Sequence, residues 1–157
     1  MNTLQKIFVK EAYQADDEDP ILVKLSADFS HVIHNFALHC DLRGVFVIDE
    51  DNRFLGVITR TDQLDWAQAK LGAILLKPLT DMDKTIRLIT LIGSASVGDI
   101  LRPETKNAAV LADDTLAQAL KKMIETDLII LPVIDESGQI IGSLTLTEIL
   151  NMALNDS

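Results

Sequence analysis

A chain of 157 residues, 48% of them hydrophobic, is long enough to bury one substantial core. Its 24 acidic against 14 basic residues leave a formal net charge of −10, and with no lysine or arginine cluster this argues against binding nucleic acid or an anionic lipid surface. One cysteine excludes an internal disulfide framework, the first twenty residues lack the apolar core of a secretory signal, and the most apolar stretch, 64–79, is interrupted by charges and Pro78; a soluble cytoplasmic protein without a membrane span is expected.

The first clear element is Ile21 to Leu25, a short apolar run that reads as a strand. Ser26-Ala27-Asp28 can cap a helix whose apolar residues Phe29, Val32, Ile33 and Phe36 recur at helical spacing. Gly44 to Ile48 is a continuous apolar run suited to a buried strand, and Asp49-Glu50-Asp51-Asn52 turns the chain into a second strand, Phe54 to Ile58. After Thr59 the spacing is helical again at Leu64, Ala67 and Leu71. Lys77 to Asp83 stops and restarts a helix, and an amphipathic stretch around Ile86, Ile89, Leu91 and Ile92 ends at Gly93-Ser94.

The same order then returns. Ala108 to Leu111 is a strand, Leu116, Ala119, Leu120 and Met123 mark a helix, and Leu128 to Ile134 and Ile140 to Leu144 are strands joined by Asp135-Glu136-Ser137-Gly138. Ile149, Leu150 and Ala153 mark the last helix. Val47 to Ala67 aligns with 133–153 at a constant offset of 86, with nine of twenty-one positions identical, so an internal repeat governs the fold. Upstream, at Phe29 to Phe36, the offset is 87, which places one extra residue of the first copy between Cys40 and Gly44. One copy cannot cover both faces of so small a sheet, so the halves are expected to pack sheet against sheet with helices outside.

Leu131-Pro132-Val133-Ile134-Asp135 with Gly138, Ile140-Ile141-Gly142, Thr145 and Leu150 resembles the signature of the tandem cystathionine-beta-synthase (CBS) domain pair, also called a Bateman module. Ser96 to Leu101 resembles the segment that introduces such a motif. The resemblance implies an α+β fold of two pseudo-symmetric β-α-β-β-α motifs, the first at 5–77 and the second at 96–155, with a helical insert at 78–95. It further implies a stand-alone, non-enzymatic regulatory module that binds an adenosine-containing ligand (AMP, ADP, ATP or S-adenosylmethionine) between the motifs and signals to an effector protein. A homodimer is implied as well, with the helix faces around Trp66, Leu71 and Leu150 needing cover and Ile86 to Ile92 as an added contact.

In that family the pattern Gly-apolar-apolar-[Ser/Thr]-x-[Ser/Thr]-Asp ends the third strand and opens the last helix. Gly56, Thr59, Thr61 and Asp62 match it in full, with Arg60 between, whereas Gly142, Thr145, Thr147 and Glu148 carry Glu for Asp and Leu146 for Arg60. The hydroxyls and helix terminus suit phosphate, and the carboxylate suits a ribose diol, so the resemblance favours the first copy as the binding end. Val23, Val45 and Phe46 in the first copy, and Val110, Leu131 and Pro132 in the second, are the implied lining positions on the strands.

Other roles compete for these residues. Thr59 with Asp62 and Thr145 with Glu148 also fit a capping box, which stabilises a helix start by about 1 kcal/mol. His31, His34, His39 and Cys40 could ligate zinc, but no paired-cysteine spacing accompanies them. Arg87, Arg102, Lys121 and Lys122 could reach a phosphate or simply face solvent, and Phe8 and Trp66 read as core or interface anchors. No phosphate-binding loop, nucleophile elbow or zincin helix is present, so no metal and no catalysis are expected. A purely structural interaction module is the alternative, and an enzyme with dispersed catalytic residues a more distant one.

Overall fold

The computed structural model describes residues 3–13 and 20–155. A single turn, α1 (Thr3–Lys6), is followed by β1 (Leu22–Lys24), α2 (Phe29–Leu38), β2 (Gly44–Ile48), β3 (Phe54–Thr59) and α3 (Arg60–Leu75). Two connecting helices, α4 (Asp81–Ser94) and α5 (Val97–Ile100), lead to β4 (Val110–Leu111), α6 (Leu116–Thr126), β5 (Ile130–Ile134), β6 (Ile140–Thr145) and α7 (Leu146–Asn155). Strand, helix, strand, strand, helix thus occurs twice, as the repeat requires.

The duplication reaches single hydrogen bonds. β1 pairs parallel with β2 and β2 antiparallel with β3, placing Val47 opposite Val23 and Gly56; β4, β5 and β6 do the same with Val133 opposite Val110 and Gly142. Each hairpin shifts register at one place, Val47/Ile48 and Val133/Ile134. In the turns, Asp49 Oδ1 accepts the N–H groups of Asp51 (2.8 Å) and Arg53 (3.0 Å), while Asp135 Oδ1 accepts those of Ser137 (2.9 Å) and Gln139 (3.0 Å). The left-handed residue required next falls on Asn52 (φ 64°) and Gly138 (φ 88°), types that tolerate that conformation. The Arg53 N–H holds the Asp49 carboxyl below its ordinary value, and the Ser137 hydroxyl followed by the Gln139 N–H does so for Asp135.

Strand alternation divides the interior into two clusters. Val45, Val47 and Ile58 turn toward Phe29, Val32 and Phe36 of their own half, whereas Phe46 and Val57 join Val110, Leu131, Val133 and Leu144 of the other. The sheets therefore meet face to face, and at their rim the Phe54 N–H donates to the Gly138 carbonyl (3.1 Å).

The segments leading into each half are exchanged. Leu4, Ile7 and Val9 lie in the core of the second half, where the Ile7 carbonyl accepts the Leu116 N–H (2.9 Å) at the start of α6. Ala95, Val97 and Ile100 lie in the core of the first half, where the Ala95 carbonyl accepts the Phe29 N–H (2.9 Å) at the start of α2. Ile7 and Val9, within the first copy by sequence, thus pack in the second half, and Val97 and Ile100, within the second copy by sequence, pack in the first. Each exchange satisfies an N–H group that an isolated helix start leaves without a partner.

Helix faces depart from expectation in one respect. Leu71 is 8% exposed and Trp66 packs its ring 5.0 Å from that of Phe29, so this part of α3 is covered within the chain and needs no partner. Leu64 and Leu150, at the same position of α3 and α7, are 57% and 49% exposed. In the connecting helix α4, capped by the Thr80 hydroxyl on the Asp83 N–H (3.0 Å), no residue is buried, and Met82, Ile86 and Ile89 face outward. Phe8 is 39% exposed, with the Lys10 ammonium 5.3 Å from its ring centre. No helix among the described residues is long and apolar enough to cross a membrane.

Candidate functional site

The two strand-to-helix corners are built alike up to one atom. At the second, the N–H (2.8 Å) and hydroxyl (2.9 Å) of Thr145 both donate to Glu148 Oε1, and the Thr145 hydroxyl accepts the Glu148 N–H (3.3 Å). At the first, the N–H (2.7 Å) and hydroxyl (3.3 Å) of Thr59 donate to Asp62 Oδ2. The capping reading is therefore correct at both corners. The remaining carboxylate oxygens differ: Asp62 Oδ1 accepts Arg102 Nε at 3.1 Å, and Glu148 Oε2 is buried without a hydrogen-bond partner among the described residues.

Glu148 lies in the wall of a cleft of about 940 Å³ between the halves. Thr145, Thr147, Ser143 and Asn151 form its wall from the second half. Opposite stand Pro20 and Ile21 at the entry to β1, the connection His39, Asp41, Leu42 and Arg43, and Gly44 and Phe46 of β2, with Ile130 between the two sheets. A Cβ at Gly44 would lie 3.2 Å from Ile130 Cγ2, so glycine lets the two sheets approach where the cleft begins. The result is a cleft whose lining combines apolar side chains with an acceptor, hydroxyls, an imidazole and a guanidinium.

The cleft at the first corner is filled by the chain itself. Thr105, fully buried, presents its hydroxyl to the Val57 N–H (3.1 Å), and Leu101 and Thr105 lie so close to Gly56 that a Cβ there would be 2.7 Å from each. Arg102 adds weaker contacts to the Thr126 carbonyl (3.3 Å) and Glu104 (3.4 Å). Asp62, beneath this cover, is 4% exposed. What is left outside is a polar pocket of about 470 Å³ bounded by Lys106, Asn107, Lys122 and Glu125 among others. The first corner, which completes the sequence pattern, is thus the enclosed one, and the second is the accessible one.

Of the residues singled out from the sequence, Phe46, Thr145, Thr147 and Glu148 share the large cleft. Val23 and Val45 are buried in the first core cluster and Val110 and Leu131 in the second, while Pro132 is buried in β5 opposite Ser143. Thr61 is exposed on the first turn of α3. Arg60 closes the end of α2, donating to the carbonyls of Phe36 (3.2 Å), His39 (2.7 Å) and Leu42 (3.1 Å) with its guanidinium 4.9 Å from the Phe36 ring centre. Lys122 donates to the Ala109 carbonyl and Lys121 reaches Glu125 at 3.7 Å, while Arg87 is exposed on α4. His31, His34 and Cys40 are exposed, and among the described residues no three His, Cys, Asp or Glu side chains converge as metal ligands do. Sequence reasoning missed the cleft's Pro20–Ile21 and His39–Gly44 walls. The extra residue of the first copy between Cys40 and Gly44 was the signal for the latter.

The CBS domain model matches residues 10–62 and 97–155, more than half of the chain and one match to each half. The chain belongs to the CBS-domain family. Among solved CBS structures, CBSX2 of Arabidopsis thaliana is 23% identical with a TM-score of 0.71, covering 96% of this chain and 96% of that one. CBSX2 in complex with AMP is 24% identical with a TM-score of 0.67, over 96% and 98% of the two chains. The CBS domain of a bacterial CNNM/CorC family Mg2+ transporter in complex with ATP is 18% identical with a TM-score of 0.66, over 96% and 89%. No curated protein matches at the sequence level. These likenesses establish the tandem CBS-pair fold.

Proposed function

We propose that this CBS pair is a cytoplasmic regulatory module that senses an adenine nucleotide, with the nucleotide bound in the cleft closed by Thr145, Thr147 and Glu148. The observation that carries the reading is Glu148 Oε2, a buried acceptor without a partner among the described residues, at the edge of a cleft large enough for a nucleotide. A ribose diol supplies the donors that this carboxylate lacks. Ile21, Phe46 and Ile130 offer apolar surface to the base, while Thr147, the start of α7 and the guanidinium of Arg43 suit phosphate. The AMP and ATP held by the two structural relatives agree with this ligand class.

The module acts on a partner protein, transmitting no more free energy than the ligand's differential affinity for its arrangements. Two copies associate through the matching leucines Leu64 and Leu150, whose exposure at equivalent helix positions suits a two-fold contact. No catalytic step is assigned to it. Calorimetric titration with AMP, ADP, ATP and S-adenosylmethionine tests the reading, and at least one of them should bind and raise the melting temperature. One observation favours the structural alternative, the filling of the first cleft by Leu101 to Thr105. Silence with all four ligands would establish that alternative.

A further inference from the structure

Two equivalent clefts arise from the duplication, yet their carboxylates meet different fates. Asp62 and Glu148 occupy the same place in the repeat and spend one oxygen on the same cap. The second oxygen of Glu148 is without a partner among the described residues, whereas that of Asp62 is taken by a guanidinium from the chain's own connection between halves.

We infer that Arg102 is an internal ligand: with Leu101 and Thr105 it latches the first cleft shut, so that the CBS pair has one nucleotide site per chain. Three contacts make the latch. Arg102 satisfies the carboxylate that a ribose would otherwise satisfy. Thr105 takes the outward N–H of Val57 in β3, which a ligand lying along that strand edge would need. Leu101 and the Thr105 hydroxyl fill the space above Gly56, where the missing side chain would have left room. A ligand entering here must displace a charge-assisted bond and a packed side chain together, and for this reason the connection 101–107 is held to β3 when the other cleft is loaded.

The stoichiometric part rests on the nucleotide reading, and the latch itself is open to a ligand-free test. Calorimetry with AMP on the full chain should give one event per chain, weakened tenfold or more in Glu148→Gln and of unchanged affinity in Arg102→Gln. Two equal events, or a full-strength event that survives Glu148→Gln, would overturn the single-site inference while leaving nucleotide binding intact. Hydrogen exchange without ligand reads the latch: amides around Val57 should exchange about tenfold faster or more in Arg102→Gln. Thr105→Val, which keeps the shape and removes the acceptor of the Val57 N–H, should do the same should Arg102→Gln not fold. Unchanged exchange in a folded variant would refute the latch, whatever the calorimetry shows. If AMP binds to none of the proteins, the single-site count for AMP fails, the nucleotide reading passes to the other three ligands, and the exchange result alone decides the latch.

Discussion

Replacing Glu148 by Gln separates recognition from folding at one residue. Glu148 Oε1 serves the helix, taking the N–H and hydroxyl of Thr145 at 2.8 and 2.9 Å, and a glutamine oxygen of equal reach can keep both bonds. Loss of charge in the first turn of α7 costs about 0.3–1 kcal/mol through the helix dipole. The other oxygen, buried without a partner among the described residues, is exchanged for an amide NH2 that is equally without one, so the burden of about 1–3 kcal/mol of an unpaired buried polar group is carried by both proteins. The free protein should therefore lose no more than about 4 °C of melting temperature. The ligand meets a different group, because Nε2 now faces the ribose and donates where an acceptor is required. A charge-assisted bond is worth about 1.5–3 kcal/mol, so AMP should bind about tenfold to a hundredfold more weakly. Calorimetry and a thermal melt on the same preparation measure both. Unchanged affinity in a folded variant would remove Glu148 from the site, and unchanged affinity together with a large fall in melting temperature would show its role to be the helix cap alone.

Other perturbations test the frame around the site. Gly56→Ala should destabilise by about 1–3 kcal/mol in urea titrations, since its methyl group would stand 2.7 Å from Leu101 and Thr105, whereas Gly72→Ala in α3, with nothing within 4 Å, should stabilise by about 0.5–1 kcal/mol. The depressed carboxyls of Asp49 and Asp135 contribute stability that is present above their unfolded value of 3.8 and is lost as pH falls through the lower folded value. Asp135→Asn should accordingly flatten the acid limb of the stability profile below about pH 4, and an unaltered profile would count against the turn's contribution. Sedimentation of the unmodified chain should give twice its mass, and the double variant Leu64→Asp, Leu150→Asp should sediment as a monomer; a dimer that survives the double change lies elsewhere.

The sheets and hairpins were legible because their causes are local and occur twice. Asp49 and Asp135, Asn52 and Gly138, and Val47 and Val133 supply the same turn chemistry and the same buried alternation at one offset. What could not be read was what each half borrows from the other. Ile7 and Ala95 reach helix starts in the opposite half through backbone carbonyls, and a carbonyl carries no mark in the sequence. Arg60 was misleading for a similar reason: it sits inside the binding pattern, but its guanidinium turns away to carbonyls at the end of α2. The pattern at Gly56 to Asp62 was equally complete and equally silent about Arg102, forty residues away.

That silence has a physical basis that bears on how a duplicated module becomes asymmetric. A carboxylate placed at a helix start by the capping box has one oxygen committed and one uncommitted, so its corner is suited to a ligand and to an internal cation alike. An internal arginine is covalently held at high effective concentration, and a free ligand competes with it at a disadvantage. A single cation in the connection is therefore enough to retire one of two clefts without altering the pattern that defines it. Substituting the carboxylate leaves the other cleft with a longer acid at the same place and, among the described residues, no such rival. On this argument, the match to the family pattern says where a nucleotide site was built, and the charge of the segment entering the neighbouring half says whether it is still free.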